Sequence, residues 1–150
     1  PAEDPYVIPI ALGPGSVSQD GRFVTFGVDI ITDGYPDNVY LRDRTSGTTM
    51  LVASGNGSSD LLKVSADGHY GAFFSTSSNL IDGATSGGVF YYDRLLARTS
   101  LLSAGSALYR RVCLGAGGAA VAYEDGFPSQ IYVQASAVRP RAPSGLRVVP

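Results

Sequence analysis

The chain has 150 residues, enough for one ordinary core, and a formal net charge of −2. So mild an acidity offers no basic face for a phosphate backbone, which argues against a nucleic-acid partner, and no apolar run is long enough to cross a bilayer as a helix. Asp makes up eleven of the thirteen acids, Lys63 is the single lysine, and there are 19 Gly and 9 Pro, so turn formers displace helix formers and strands joined by turns are expected.

In chain order, Pro1 to Pro5 reads as the start of a chain whose signal peptide has been removed, or as a boundary within a longer chain. Tyr6-Val7-Ile8-Pro9-Ile10-Ala11-Leu12 is an apolar stretch predicted as a strand; Pro9 lacks a donor and suits an edge. A first unit of four strands comes next. Strand a lies near Gly15 to Ser18, and Gln19-Asp20-Gly21 forms a turn in which Asp20 and Gly21 are structural. Strand b spans Arg22 to Gly27, strand c Asn38 to Asp43, and strand d Thr48 to Ala53, with Thr45-Ser46-Gly47 turning c into d. Both faces of strand b are largely apolar, as in a strand covered on each side.

The unit then repeats. Val17-Ser18-Gln19-Asp20-Gly21-Arg22-Phe23 returns 47 positions later as Val64-Ser65-Ala66-Asp67-Gly68-His69-Tyr70, and Asp67 and Gly68 form the second structural turn. Arg42-Asp43-Arg44 returns as Tyr92-Asp93-Arg94, 50 positions later. An ion pair bracing neighbouring strands is expected of Asp43 and Asp93 beside Arg44 and Arg94. A third unit keeps only the hydrophobic pattern. Leu114-Gly115-Ala116-Gly117-Gly118 has lost the Ser and Asp of the turn, and Gln130 to Ala135 is its strand c, with no room for a strand d before Pro140. A period in the forties, built of short strands, marks an array of propeller blades.

At these residues the chain resembles the propeller repeats of the TolB-like family, WD-like repeats of bacterial envelope proteins. The matching residues are Ser65-Ala66-Asp67-Gly68-His69-Tyr70, Ser78-Asn79-Leu80, Asp82-Gly83-Ala84-Thr85 and Tyr92-Asp93-Arg94, with Ser18, Asp20 to Phe26 and Arg42-Asp43 in the first unit. The resemblance implies an all-β fold of three four-stranded propeller-type blades, at about 6–54, 61–103 and 108–136. That is a partial propeller, or half of a six-bladed ring formed by two copies. It further implies a role in protein interaction, in the envelope or outside the cell. Residues 139–150 read as a Pro-rich linker, whose Ala142-Pro143-Ser144-Gly145-Leu146-Arg147-Val148 resembles the entry of a fibronectin type III module.

Chemistry is sparse. His69 is the only histidine, so a catalytic triad would need it to meet both a Ser and an Asp, and no Gly-x-Ser-x-Gly elbow is present. Cys113 is the only cysteine, which excludes an internal disulfide; within Val112-Cys113-Leu114 it is expected as a small buried hydrophobe. Asp29, Asp33 and Asp37 lie in one loop and offer the clustered oxygens that calcium prefers, without EF-hand spacing. No other cofactor is suggested.

The expected function is a non-enzymatic structural or protein-interaction module of a secreted or envelope protein. The alternatives are the propeller domain of a larger hydrolase or peptidase, and a calcium- or glycan-binding module. Assembly into a homo-oligomer or fibre is expected by strand donation. Tyr6, Val7, Ile8, Ile10 and Leu12 would pair with Ile131, Tyr132 and Val133 of a neighbouring copy, whose strand edge is otherwise open.

Overall fold

The computed structural model describes residues 8–10, 17–29, 38–59, 62–83, 86–105, 111–125 and 130–135. They form eleven strands in three antiparallel sheets, with no helix among them. Blade 1 holds β1 (Ile8–Ile10), β2 (Phe23–Asp29), β3 (Asn38–Asp43) and β4 (Thr48–Ser54), hydrogen-bonded in that order. Blade 2 holds β5 (Lys63–Val64), β6 (Tyr70–Ser75), β7 (Gly88–Asp93) and β8 (Arg98–Ala104), again in chain order. Blade 3 holds β9 (Val112–Leu114), β10 (Ala120–Asp125) and β11 (Gln130–Ala135), so β11 has one unpaired edge among the described residues. The first two sheets are meanders with an identical irregularity. The third-to-fourth strand register slips between Val39 and Tyr40 in blade 1 and between Val89 and Phe90 in blade 2.

β1, the stretch expected to be donated, has a partner within the chain. Ile8, Pro9 and Ile10 pair with Asp29, Val28 and Gly27 of β2, within their own blade. Val17 bridges Val24 on the same edge. The first strand position of blade 1 is therefore shared by two stretches, as blade 2 shares it between a Ser59–Ser75 bridge and β5. A nearby segment covers the far half of β2 at small loop-closure cost, so its pairing is intramolecular. Tyr6, Val7 and Leu12 lie outside the described residues.

The core lies between the blades. One cluster joins Phe23, Val39 and Leu41 of blade 1 to Val64, Phe73, Phe90 and Tyr92 of blade 2. The other joins Ala72, Phe74, Val89 and Tyr91 of blade 2 to Val112, Val121 and Tyr123 of blade 3. All six residues of β7 are buried because both of its faces are covered. The three blades share a cross-strand aromatic stack at the same register position, and blade 2 has a second, Tyr70–Tyr91. The ring centroids are 5.3 Å apart in Phe26–Tyr40, 5.5 Å in Phe73–Phe90 and 5.6 Å in Tyr123–Tyr132.

Candidate functional site

The three first turns of the blades gather at one end of the molecule. There Gln19, Asp20, Ala66, Asp67, Ala116 and Gly117 line a shallow open depression. A relay of backbone hydrogen bonds links the turns: Gln19 N–H donates to the Ala66 carbonyl at 2.9 Å, and Ala66 N–H to the Ala116 carbonyl at 2.8 Å. Each turn is closed by its own sequence. In blade 1, Ser18 Oγ donates to Asp20 Oδ1 at 2.6 Å and accepts Phe23 N–H, while Arg22 N–H reaches the same carboxylate oxygen. Blade 2 repeats this with Ser65, Asp67, Tyr70 and His69. Gly21 and Gly68 hold φ of 70°, a conformation that only glycine adopts freely. Both turns are closed by these bonds.

The carboxylates are held charged by this bonding. The Ser18 hydroxyl and Arg22 N–H lower the Asp20 pKa. Burial pushes Asp67 upward, but the Ser65 hydroxyl, His69 N–H and the imidazole outweigh it, and the net shift is down. His69 Nδ1 stands 3.3 Å from Asp67 Oδ2. Ser65, Asp67 and His69 thus meet, but with the carboxylate in the middle. A triad needs the imidazole between hydroxyl and carboxylate. Blade 1 makes the same serine–aspartate bonds with Arg22 in place of His69, which identifies the arrangement as turn closure.

The second turn end differs from the expected bracing. Asp43 pairs with Arg22 of the neighbouring strand rather than with Arg44, through Nε at 3.0 Å and Nη2 at 2.7 Å. This fork and the N–H groups of Thr45 and Ser46 hold the Asp43 carboxyl well below the usual carboxylate range, against the opposing effect of its burial. Asp93 accepts the N–H groups of Leu95 and Leu96, and with His69 in the place of Arg22 it has no ion pair among the described residues. Arg44 and Arg94 turn away from these acids. Arg44 Nη1 donates to the Gly21 carbonyl at 2.9 Å and Arg94 Nε to the Gly68 carbonyl at 2.7 Å.

Blades attach through a contact that sequence reasoning missed. A Cβ on Gly68 would overlap the ring of Phe23 in the preceding blade, and one on Gly118 would overlap Tyr70. The Arg94 guanidinium lies over the Phe23 ring, 4.3 Å from its centroid, as does that of Arg22 at 4.8 Å. Thr25 Oγ1 donates to the Leu62 carbonyl at 2.8 Å, and Tyr91 Oη to the Gly118 carbonyl at 2.9 Å. The signal was an aligned column: aromatic at Phe23 and Tyr70, alanine at Ala120.

Among the described residues, two blade faces have no blade packed on them. On blade 3, Ile131 is 80 % and Val133 72 % exposed, while Tyr132 between them points to the other face and stacks on Tyr123. Cys113 corrects its expectation: it is exposed, in register with Ala122 and so in the same cross-strand row as Val133. On blade 1, Val17 and Leu51 are exposed and Phe26 and Tyr40 half-buried. Asp33 and Asp37 lie outside the described residues, and for Asp29 only the backbone, on β2, is described. Among the described residues no three His, Cys, Asp or Glu side chains gather as metal ligands.

No family profile and no curated protein sequence matches the chain. Several solved structures resemble it, among them two propeller proteins. The tricorn protease superposes with a TM-score of 0.56 at 13% identity, over 77% of this chain. TolB from Acinetobacter baumannii superposes with a TM-score of 0.54 at 21% identity, over 81% of this chain. The fold is that of propeller blades. The match covers only 11% of the tricorn protease chain and 30% of the TolB chain, so the likeness concerns the blades alone.

Proposed function

We propose that this chain is a non-enzymatic, protein-interacting propeller segment of a secreted or envelope protein. One observation carries the reading. Positions that are buried where two blades meet inside the molecule stay apolar on both outer faces, Glu124 in the place of Phe74 excepted, and Val17, Leu51, Ile131 and Val133 there meet solvent. The polar groups with catalytic chemistry are meanwhile bound up in turn closure: Ser65 is buried and bonded to Asp67, and His69 leans on the same acid. The partner that this surface fits is another protein surface.

A second reading is the propeller portion of a larger hydrolase. It draws on the likeness to part of the tricorn protease, which is a likeness of fold. The test is a panel of chromogenic esters and fluorogenic peptides with the wild-type chain, Ser65→Ala and His69→Gln. The expected result is no hydrolysis above buffer in any of the three. Hydrolysis by the wild type that either substitution abolishes overturns the non-enzymatic reading.

A further inference from the structure

We propose that two copies of this chain dock head to tail, the outer face of blade 3 of one copy seating on the outer face of blade 1 of the next. The inference deepens the interaction-module reading and rests on it. Both halves of the contact are already used twice inside the chain. Where blade 1 meets blade 2, the Phe23 ring enters the Gly68 slot under Arg94, Gln19 N–H meets the Ala66 carbonyl, and Val39 and Leu41 pack on Phe73 and Phe90. Where blade 2 meets blade 3, Tyr70 enters the Gly118 slot and Ala66 N–H meets the Ala116 carbonyl.

Each end of the molecule carries one complementary half. On blade 1, the Gly21 slot is formed, and among the described residues a Cβ there would meet Arg44 Nη1 alone, at 3.7 Å. Arg44 already grips the Gly21 carbonyl as Arg94 grips that of Gly68. Val17, Phe26, Tyr40 and Leu51 stand where Val64, Phe73, Phe90 and Leu101 pack in the blade 1–2 core. The Gln19 carbonyl accepts no hydrogen bond among the described residues. On blade 3, Ala116 N–H donates to no acceptor among them. Ile131 and Val133 stand where the fully buried pairs Val39–Leu41 and Val89–Tyr91 sit in the other blades.

Among the described residues the relay thus ends in an unpaired donor at one end and an unpaired acceptor at the other, with apolar surface behind each, and a second copy satisfies both. Closed propeller rings hold roughly four to eight blades. Two copies supply six, and a head-to-tail contact that fails to close gives a fibre instead. Two positions depart from the internal pattern. Ala120 replaces the aromatic knob and fills only part of the Gly21 slot, and half-buried Glu124 replaces Phe74 at the end remote from the turns. The contact between copies is accordingly weaker than those within the chain.

The experiment is sedimentation equilibrium across a concentration series, with Cys113 alkylation by a maleimide in parallel. The wild type is expected to reach twice its 15.6 kDa or more, with Cys113 labelling slowed as association rises. Val17→Arg and Ile131→Arg, both at exposed positions, are each expected to be monomeric. Mixed together they are expected to recover a one-to-one dimer, because one intact face of each kind remains. Ala120→Phe restores the knob and is expected to tighten association roughly fivefold or more. The proposal is overturned if the wild type stays monomeric to millimolar concentration. It is overturned equally if the Arg variants associate like the wild type, if their mixture recovers nothing, or if Ala120→Phe leaves the affinity unchanged. A monomer that is still inactive in the hydrolysis panel sinks this docking mode and leaves the interaction-module reading standing; activity in the panel sinks that reading instead.

Discussion

Blades 2 and 3 make the same first turn from different residues. In blade 2, Ser65 N–H donates to the Tyr70 carbonyl and Gly68 N–H to the Ser65 carbonyl. In blade 3, Gly115 N–H donates to the Ala120 carbonyl and Gly118 N–H to the Gly115 carbonyl, at nearly the same distances, with Gly118 at φ 71°. Blade 3 has no Ser hydroxyl, no Asp carboxylate and no aromatic at the start of its second strand. The backbone and one glycine therefore suffice for the shape of the turn. The serine and aspartate add stability to it, and the aromatic adds attachment to the following blade. A worn repeat keeps its fold while losing the means to hold its neighbour.

The comparison breaks most severely at the glycine slots. Gly68→Ala forces a side chain into both a left-handed backbone and the Phe23 ring, and is expected to cost roughly 3 kcal/mol in urea unfolding. Gly21→Ala has the same φ with no ring beside it, and is expected to cost only the backbone part, about 1–2 kcal/mol. Equal losses for the two would show that ring packing contributes nothing.

Acid sets apart the turn ends that hold carboxylates. The pKa values of Asp20, Asp43 and Asp67 are all lowered in the folded chain. Their contribution to stability is fully present above the unfolded value of about 3.9 and is lost as the pH falls below it toward the folded values. Asp43 has the strongest bonding, so Asp43→Asn should be less stable than wild type at pH 7, with a gap that narrows below about pH 4. Paired urea titrations at pH 7 and 3 measure this; a gap that widens in acid contradicts the assignment.

Blade 3 also offers a repair. A Cβ at Gly117 would meet nothing, and one at Gly115 only ordinary contact at 3.5 Å, so there is room for the missing side chains. The double substitution Gly115→Ser, Gly117→Asp should rebuild the bonded turn and raise stability by about 1 kcal/mol. A smaller gain is expected in the turn after β7. Ala97 occupies a positive φ of 48° where blade 1 has Gly47. Ala97→Gly should relieve that conformation and stabilise by somewhat under about 1 kcal/mol, read as a small rise in melting temperature.

Much of this molecule was written in its sequence. The repeat placed β2 and β6 after Asp-Gly turns and β3 and β7 before Asp-Arg pairs, because turn chemistry and strand alternation are local properties that recur wherever the residues do. The erosion of the third unit was equally plain, since it is a difference between aligned columns. Partners distant along the chain were not legible. Ile8–Ile10 looked like a strand to give away, and only the three-dimensional arrangement shows the far half of β2 taking it. Asp43 looked tied to adjacent Arg44, yet a strand pairing that sets Phe23 opposite Asp43 brings Arg22 to it across 21 residues. Cys113 looked buried because its neighbours are apolar, but burial depends on whether a further blade covers that face. Periodicity records what each strand can present to its two sides. Which side finds a neighbour depends on packing between blades, and that is decided by tertiary structure alone.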